Sequence, residues 1–172
     1  MTIVLNSNNL KDITISFQKK CQKQQRTDQV TNNAYNYYIQ PKLAIKLYNA
    51  QVSLVNERYI VFVFDKFRDS SLLVLLKNIS SSILRQLERV DSVNVEQSFP
   101  VFSETETLFT IRCSLPSFRG KYHIQQFEDG TLQQFRLPRT KATIESVQLE
   151  IRNLWVLDNR LGFNLELKIV EY

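Results

Sequence analysis

The chain has 172 residues, 43% apolar and 23% charged, which suits one packed domain spanning 1–172 and argues against global disorder. Its 22 lysines and arginines against 17 acids leave a net charge of +5 with the single His123 neutral, a mild excess that suits an anionic partner. No apolar run nears the roughly 20 residues of a membrane span, Met1–Leu10 has no signal-peptide pattern, and Cys21 and Cys113 are too few for a disulfide scaffold or a four-ligand zinc site. An intracellular, non-secreted protein without a membrane partner is therefore expected.

Glycine is scarce, and no GxGxxG or GxxxxGK[ST] loop can be drawn around Gly120, Gly130 or Gly162. One histidine and two distant cysteines do not make a nucleophilic triad. Neither a cofactor nor enzymatic activity is expected. A hidden catalytic centre would have to be a carboxylate pair or a magnesium site. Charge is placed unevenly: residues 1–42 and 109–142 carry +4 each, while 43–108 and 143–172 sum to −1 and −2.

In chain order, Ile13, Ile15 and Phe17 alternate with polar residues and predict a strand. From Gln18 to Gln40 no period holds, so 18–40 reads as a flexible basic and aromatic loop or arm. It holds Lys19, Lys20, Lys23 and Arg26, then Tyr35, Tyr37 and Tyr38. Pro41 opens an extended segment whose apolar parity switches near Asn49, predicting a bulge or bend. Tyr59–Phe64 reads as a strand buried on both faces.

Leu72, Leu76, Ile79, Ile83, Leu87 and Val90 form one stripe and predict a helix over 70–90, with Asp69 or Ser70 as its cap. Lys77, Arg85 and Arg89 lie off the stripe, towards water. Beyond Thr107 the pattern is β throughout. Phe109, Ile111, Cys113 and Leu115 share a face, which makes Cys113 a small core residue.

Asp129-Gly130 between alternating runs predicts a hairpin in which Phe127 faces Leu132, Ile124 faces Phe135 and Tyr122 faces Leu137. Tyr122, Ile124, Phe135 and Leu137 then form the core face. A second hairpin spans the last 30 residues, with a parity change at Arg152-Asn153, a turn over Asp158–Gly162 cornered at Leu161-Gly162, and Trp155 in the core. These elements predict a mainly β fold, an OB-like barrel or sandwich of about eight strands with one inserted α-helix.

Three strings carry a family resemblance: FTIRCSLPSFRGKY (109–122), DGTLQQFRLPR (129–139) and IRNLWVLDNRLGFNLEL (151–167). Over roughly residues 42–172 the chain resembles the OB-fold single-stranded DNA-binding proteins of large DNA viruses and some phages. That resemblance implies an OB fold and a role in viral or phage-like DNA replication, recombination and strand annealing, in the host cytoplasm or nucleus. It implies replication proteins as further partners, beside second copies of the chain. Such proteins often end in a long acidic tail, whereas here only Glu166 and Glu171 fall in the last seven residues, so recruitment through such a tail is not expected.

Independently of the resemblance, single strands are held by cations that follow phosphates and by aromatic rings that stack on bases. The second basic block offers Arg112, Arg119, Lys121, Arg136, Arg139 and Lys141, interleaved with Phe118, Phe127 and His123. The arm adds Lys19, Lys20, Tyr37 and Tyr38, able to order over a bound strand. The hairpin register predicts Lys121, His123, Phe127 and Arg136 on one outward face, the main nucleic-acid surface. In the plainer reading the two phenylalanines pack under a neighbouring loop and the cations are ordinary surface. Two other functions share the pattern: a viral structural or assembly protein with a jelly-roll-like fold, and an accessory nuclease or polymerase subunit.

Overall fold

The structure, a computed structural model, describes residues 1–21, 35–99 and 103–172. It begins with β1 (Thr2–Leu5), β2 (Ser16–Cys21), β3 (Tyr35–Gln40), β4 (Lys42–Val55) and β5 (Tyr59–Asp65), followed by α1 (Ser70–Val90). Then come β6 (Gln97–Phe99), β7 (Ser103–Glu104), β8 (Leu108–Ser114), β9 (Ser117–Phe118) and β10 (Lys121–Tyr122). The chain closes with β11 (Gln125–Glu128), β12 (Thr131–Gln133), β13 (Thr143–Leu157) and β14 (Arg160–Glu171).

Five of these strands close on themselves. β4 pairs antiparallel with β5, β5 with β8, β13 with β14, and β13 with β4. The ring is completed where β8 meets β14 in parallel through one pair, Ser114 opposite Glu166. Numbered by chain order, the barrel strands run 1-2-3-5-4 around the ring. The fold is mainly β, as expected, but with fourteen strands among the described residues rather than about eight. The extra ones, such as β1, β7, β9 and β10, are two to four residues long, too short to show a period of two.

The barrel fills because its strands alternate. Leu43, Ile45 and Leu47 on β4, Phe62 and Phe64 on β5, Phe109 and Ile111 on β8, and Leu149 on β13 are all buried in one cluster. Phe64 and Phe109 stack with ring centroids 5.3 Å apart. Each such side chain contributes roughly 1.5–3 kcal/mol through its burial. β4 serves both β13 and β5 by bending where expected: Asn49 has φ +48, and the β4–β5 register shifts between Val52 and Leu54.

The helix spans 70–90 and sends Leu76, Ile79, Ile83 and Leu87 into the same core. Two details differ from expectation. Val90 ends the stripe 66% exposed, because the helix stops there and the chain turns away. Asp69 occupies the cap position, but its side chain makes no bond to the helix; the carboxylate instead accepts the Asp65 N–H at 3.0 Å and pairs with Arg68 at 2.8 Å.

Both ends of the expected 18–40 loop are strand instead. Residues 18–21 and 35–40 belong to β2 and β3, which pair antiparallel from Ser16–Gln40 to Cys21–Tyr35. Polar residues on the outward side mask the alternation: Tyr37 and Ile39 are buried while Tyr38 and Gln40 are exposed. Lys23, Arg26 and the rest of 22–34 lie outside the described residues. The final hairpin also turns differently. Asp158 and Asn159 take φ of +48 and +60 in a two-residue link, and Gly162 lies within β14 opposite Trp155.

Candidate nucleic-acid interface

The Asp129-Gly130 hairpin forms with the expected register, Phe127 opposite Leu132 and Glu128 opposite Thr131, and both turn residues have positive φ. Its ladder stops at Gln126–Gln133, so the pairs Ile124–Phe135 and Tyr122–Leu137 do not continue it. The buried Gln126 accounts for the break, since its Oε1 accepts the Arg136 N–H at 3.0 Å. Ile124 and Phe135 are buried as expected, and Phe135 meets the Tyr122 ring edge-on at 5.3 Å, whereas Leu137 is exposed. The single outward face expected for Lys121, His123, Phe127 and Arg136 is therefore divided.

Lys121 pairs with Phe118 in the separate two-strand piece β9–β10, turned by Arg119 and Gly120 at φ +51 and +76. Phe118 is 62% exposed at this tip, and the Arg119 guanidinium sits 5.0 Å from its ring centroid. Arg112 is exposed on β8, its guanidinium 4.1 Å from the Tyr59 ring centroid. Phe127 is half-buried at the β11–β14 junction, where its carbonyl accepts the Tyr172 N–H. Arg136, Arg139 and Lys141 are exposed, and the last two lie in a turn tied to β4 through the Lys141 N–H and the Val52 carbonyl at 2.7 Å.

The residues expected in the arm divide by strand parity. Tyr37 is 1% exposed and donates its hydroxyl to Asp91 at 2.7 Å, so its ring offers no face to a ligand. Lys19 pairs with the same carboxylate at 2.9 Å and lies 3.8 Å from the Tyr35 ring centroid. These two contacts, that of Lys19 first, hold the Asp91 carboxyl below the usual carboxylate range. Lys20 and Tyr38 point the other way, outward, with the ammonium 4.5 Å from the ring centroid.

On that outward side is a groove of about 970 Å³ between the β2–β3 hairpin and the barrel wall. Lys20, Lys42, Arg152 and Lys168 line it with Tyr38 and His123, beside the carboxylates Glu150 and Glu166. Glu166 is buried and holds two cations at once: Arg152 at 3.2 Å and Lys168. Lys42 is 3.8 Å from Glu150. Four cations over two acids leave the lining net positive, and the buried glutamate fixes where two of them stand.

Lys42, Arg152 and Lys168 were not among the residues expected at a site. Each is an isolated cation on a different strand, and only the β4–β13–β14 pairing brings them together. Outward parity at each position is the one signal the sequence holds. Among the described residues, no three or more histidine, cysteine, aspartate or glutamate side chains gather to hold a metal ion, and no helix is long and apolar enough to cross a membrane. No family model matches the chain, and no curated protein matches it in sequence.

Proposed function

We propose that the protein binds single-stranded nucleic acid, sequence-tolerantly and without catalysis, on an OB-like barrel. The observation that carries this reading is the groove: four cations, an exposed tyrosine and a histidine in one open channel of about 970 Å³. Cations spaced along such a channel neutralise successive phosphates, and flat rings accept unpaired bases. The five-stranded Greek-key ring supports the OB-like assignment. The tip residues Phe118, Arg119 and Lys121 are a second basic and aromatic patch, able to extend the path of a strand beyond the groove. A part in viral or phage-like replication or recombination rests on the motif resemblance.

Titration with labelled oligo-dT and with a matched duplex at several salt concentrations tests the reading. Preference for the oligonucleotide, with log affinity falling linearly in log salt, supports it. Equal or undetectable binding of both at low salt overturns it. The jelly-roll alternative predicts two packed sheets, whereas the strand pairing closes one barrel.

A further inference from the structure

Trp155 was expected in the core, yet it takes the opposite parity. Leu154 and Val156 point inward and are buried, while Trp155 is half-buried on the outer side of β13. Register places it in a row that crosses four strands: Lys20 opposite Asn36, Asn36 opposite Trp155, and Trp155 opposite Gly162. Lys20 already lines the groove, and so does Tyr38, two positions from Asn36 on the same side of β3.

Gly162 sets how the ring lies. A Cβ at residue 162 would fall 2.0 Å from Trp155 Cε2 and Cζ2 and 2.5 Å from Nε1. The indole thus occupies the space where a side chain at residue 162 would stand. Beside it runs a ladder of amides: Asn164 Nδ2 donates to Asn153 Oδ1 at 2.9 Å, and Asn153 Nδ2 to Asn36 Oδ1 at 3.5 Å. Asn153 is buried, so its two bonds orient its neighbours and leave an acceptor (Asn164 Oδ1) and a donor (Asn36 Nδ2) at the ladder's ends.

A flat ring, a donor and a cation in one row, with an acceptor in the row beside it, are the elements that recognise a nucleotide. We infer that Trp155 is a base-stacking platform at the end of the groove, with Asn36 and Asn164 meeting the edge of the stacked base and Lys20 its phosphate. This inference rests on the strand-binding reading above and assigns a residue to it. A sugar ring would also lie on an indole, but gives no reason for the lysine in the row.

Trp155 is the chain's one tryptophan, so its emission reports on this position directly. Oligo-dT is titrated into the native protein while tryptophan emission and the anisotropy of a labelled oligonucleotide are followed in parallel. The expected result is quenching that saturates with the anisotropy. Trp155→Ala should bind about five- to a hundredfold more weakly with an unchanged salt slope, and Trp155→Phe should recover most of the loss. Anisotropy that rises with no change in emission overturns the inference and leaves the groove reading standing. No anisotropy change overturns both. Should Trp155→Ala fail to fold, the emission titration of the native protein still decides.

Discussion

At Gly162 an absent side chain leaves the space that the Trp155 indole fills between β13 and β14. Gly162→Ala should force the indole aside and cost about 1–3 kcal/mol, as overpacking does, measured by chemical denaturation. Cys113 is the opposite case, a thiol enclosed on every side. Its burial pushes the thiol up, well above the usual thiol range, so almost no thiolate exists at neutral pH. The peptide containing Cys113 should stay unlabelled by iodoacetamide in the folded protein and react only after denaturation. Labelling at the rate of a small free thiol would mean that the β8 face assignment is wrong.

Among the elements, α1 is held to the barrel by four buried side chains on one stripe, and β2–β3 by a polar link to the helix end. Ile79→Ala or Ile83→Ala should lower stability by about 2–5 kcal/mol through lost burial and a residual cavity, whereas Lys77→Ala on the exposed side should change little. The polar link makes the hairpin's attachment depend on pH. Lys19 and Tyr37 hold the Asp91 carboxyl below its unfolded value, so unfolded Asp91 takes up its proton at a higher pH than folded Asp91 does. Its contribution is therefore present above the unfolded value and is lost as pH falls through the folded one. Hydrogen exchange in β2 and β3 should quicken across that acid window in the native protein, and Asp91→Asn should abolish the added acid dependence.

On the scale of the whole molecule, two basic and aromatic surfaces compete for the principal role: the groove under β2–β3 and the tip formed by β9–β10. The groove is the better built, since a buried glutamate positions two of its cations and the barrel wall forms its floor. Lys20→Ala with Lys42→Ala should weaken oligonucleotide binding and make the log–log salt slope shallower by about one to two units, because two fewer phosphates are neutralised. Circular dichroism should show both variants folded. Arg119→Ala with Lys121→Ala should have the smaller effect; the reverse order would make the tip the main surface.

Alternation and turn chemistry act over a few residues, so they were readable along the chain. The helix over 70–90, the Asp129-Gly130 turn, the bend at Asn49 and the parity change at Arg152-Asn153, seen as a register shift between Ile151 and Asn153, all follow from local pattern. Burial of Cys113, Ile124 and Phe135 follows from the same alternation. Which strands become neighbours depends on contacts between residues as far apart as Lys46 and Glu171, and no local period encodes those. The groove's membership, the burial of Tyr37 beneath a helix-end aspartate, and the row that joins Lys20 to Trp155 therefore arise only when the barrel closes. Trp155 shows the distinction within one residue: its neighbours' hydrophobicity suggested the core, but strand parity and a glycine on the paired strand turn it outward.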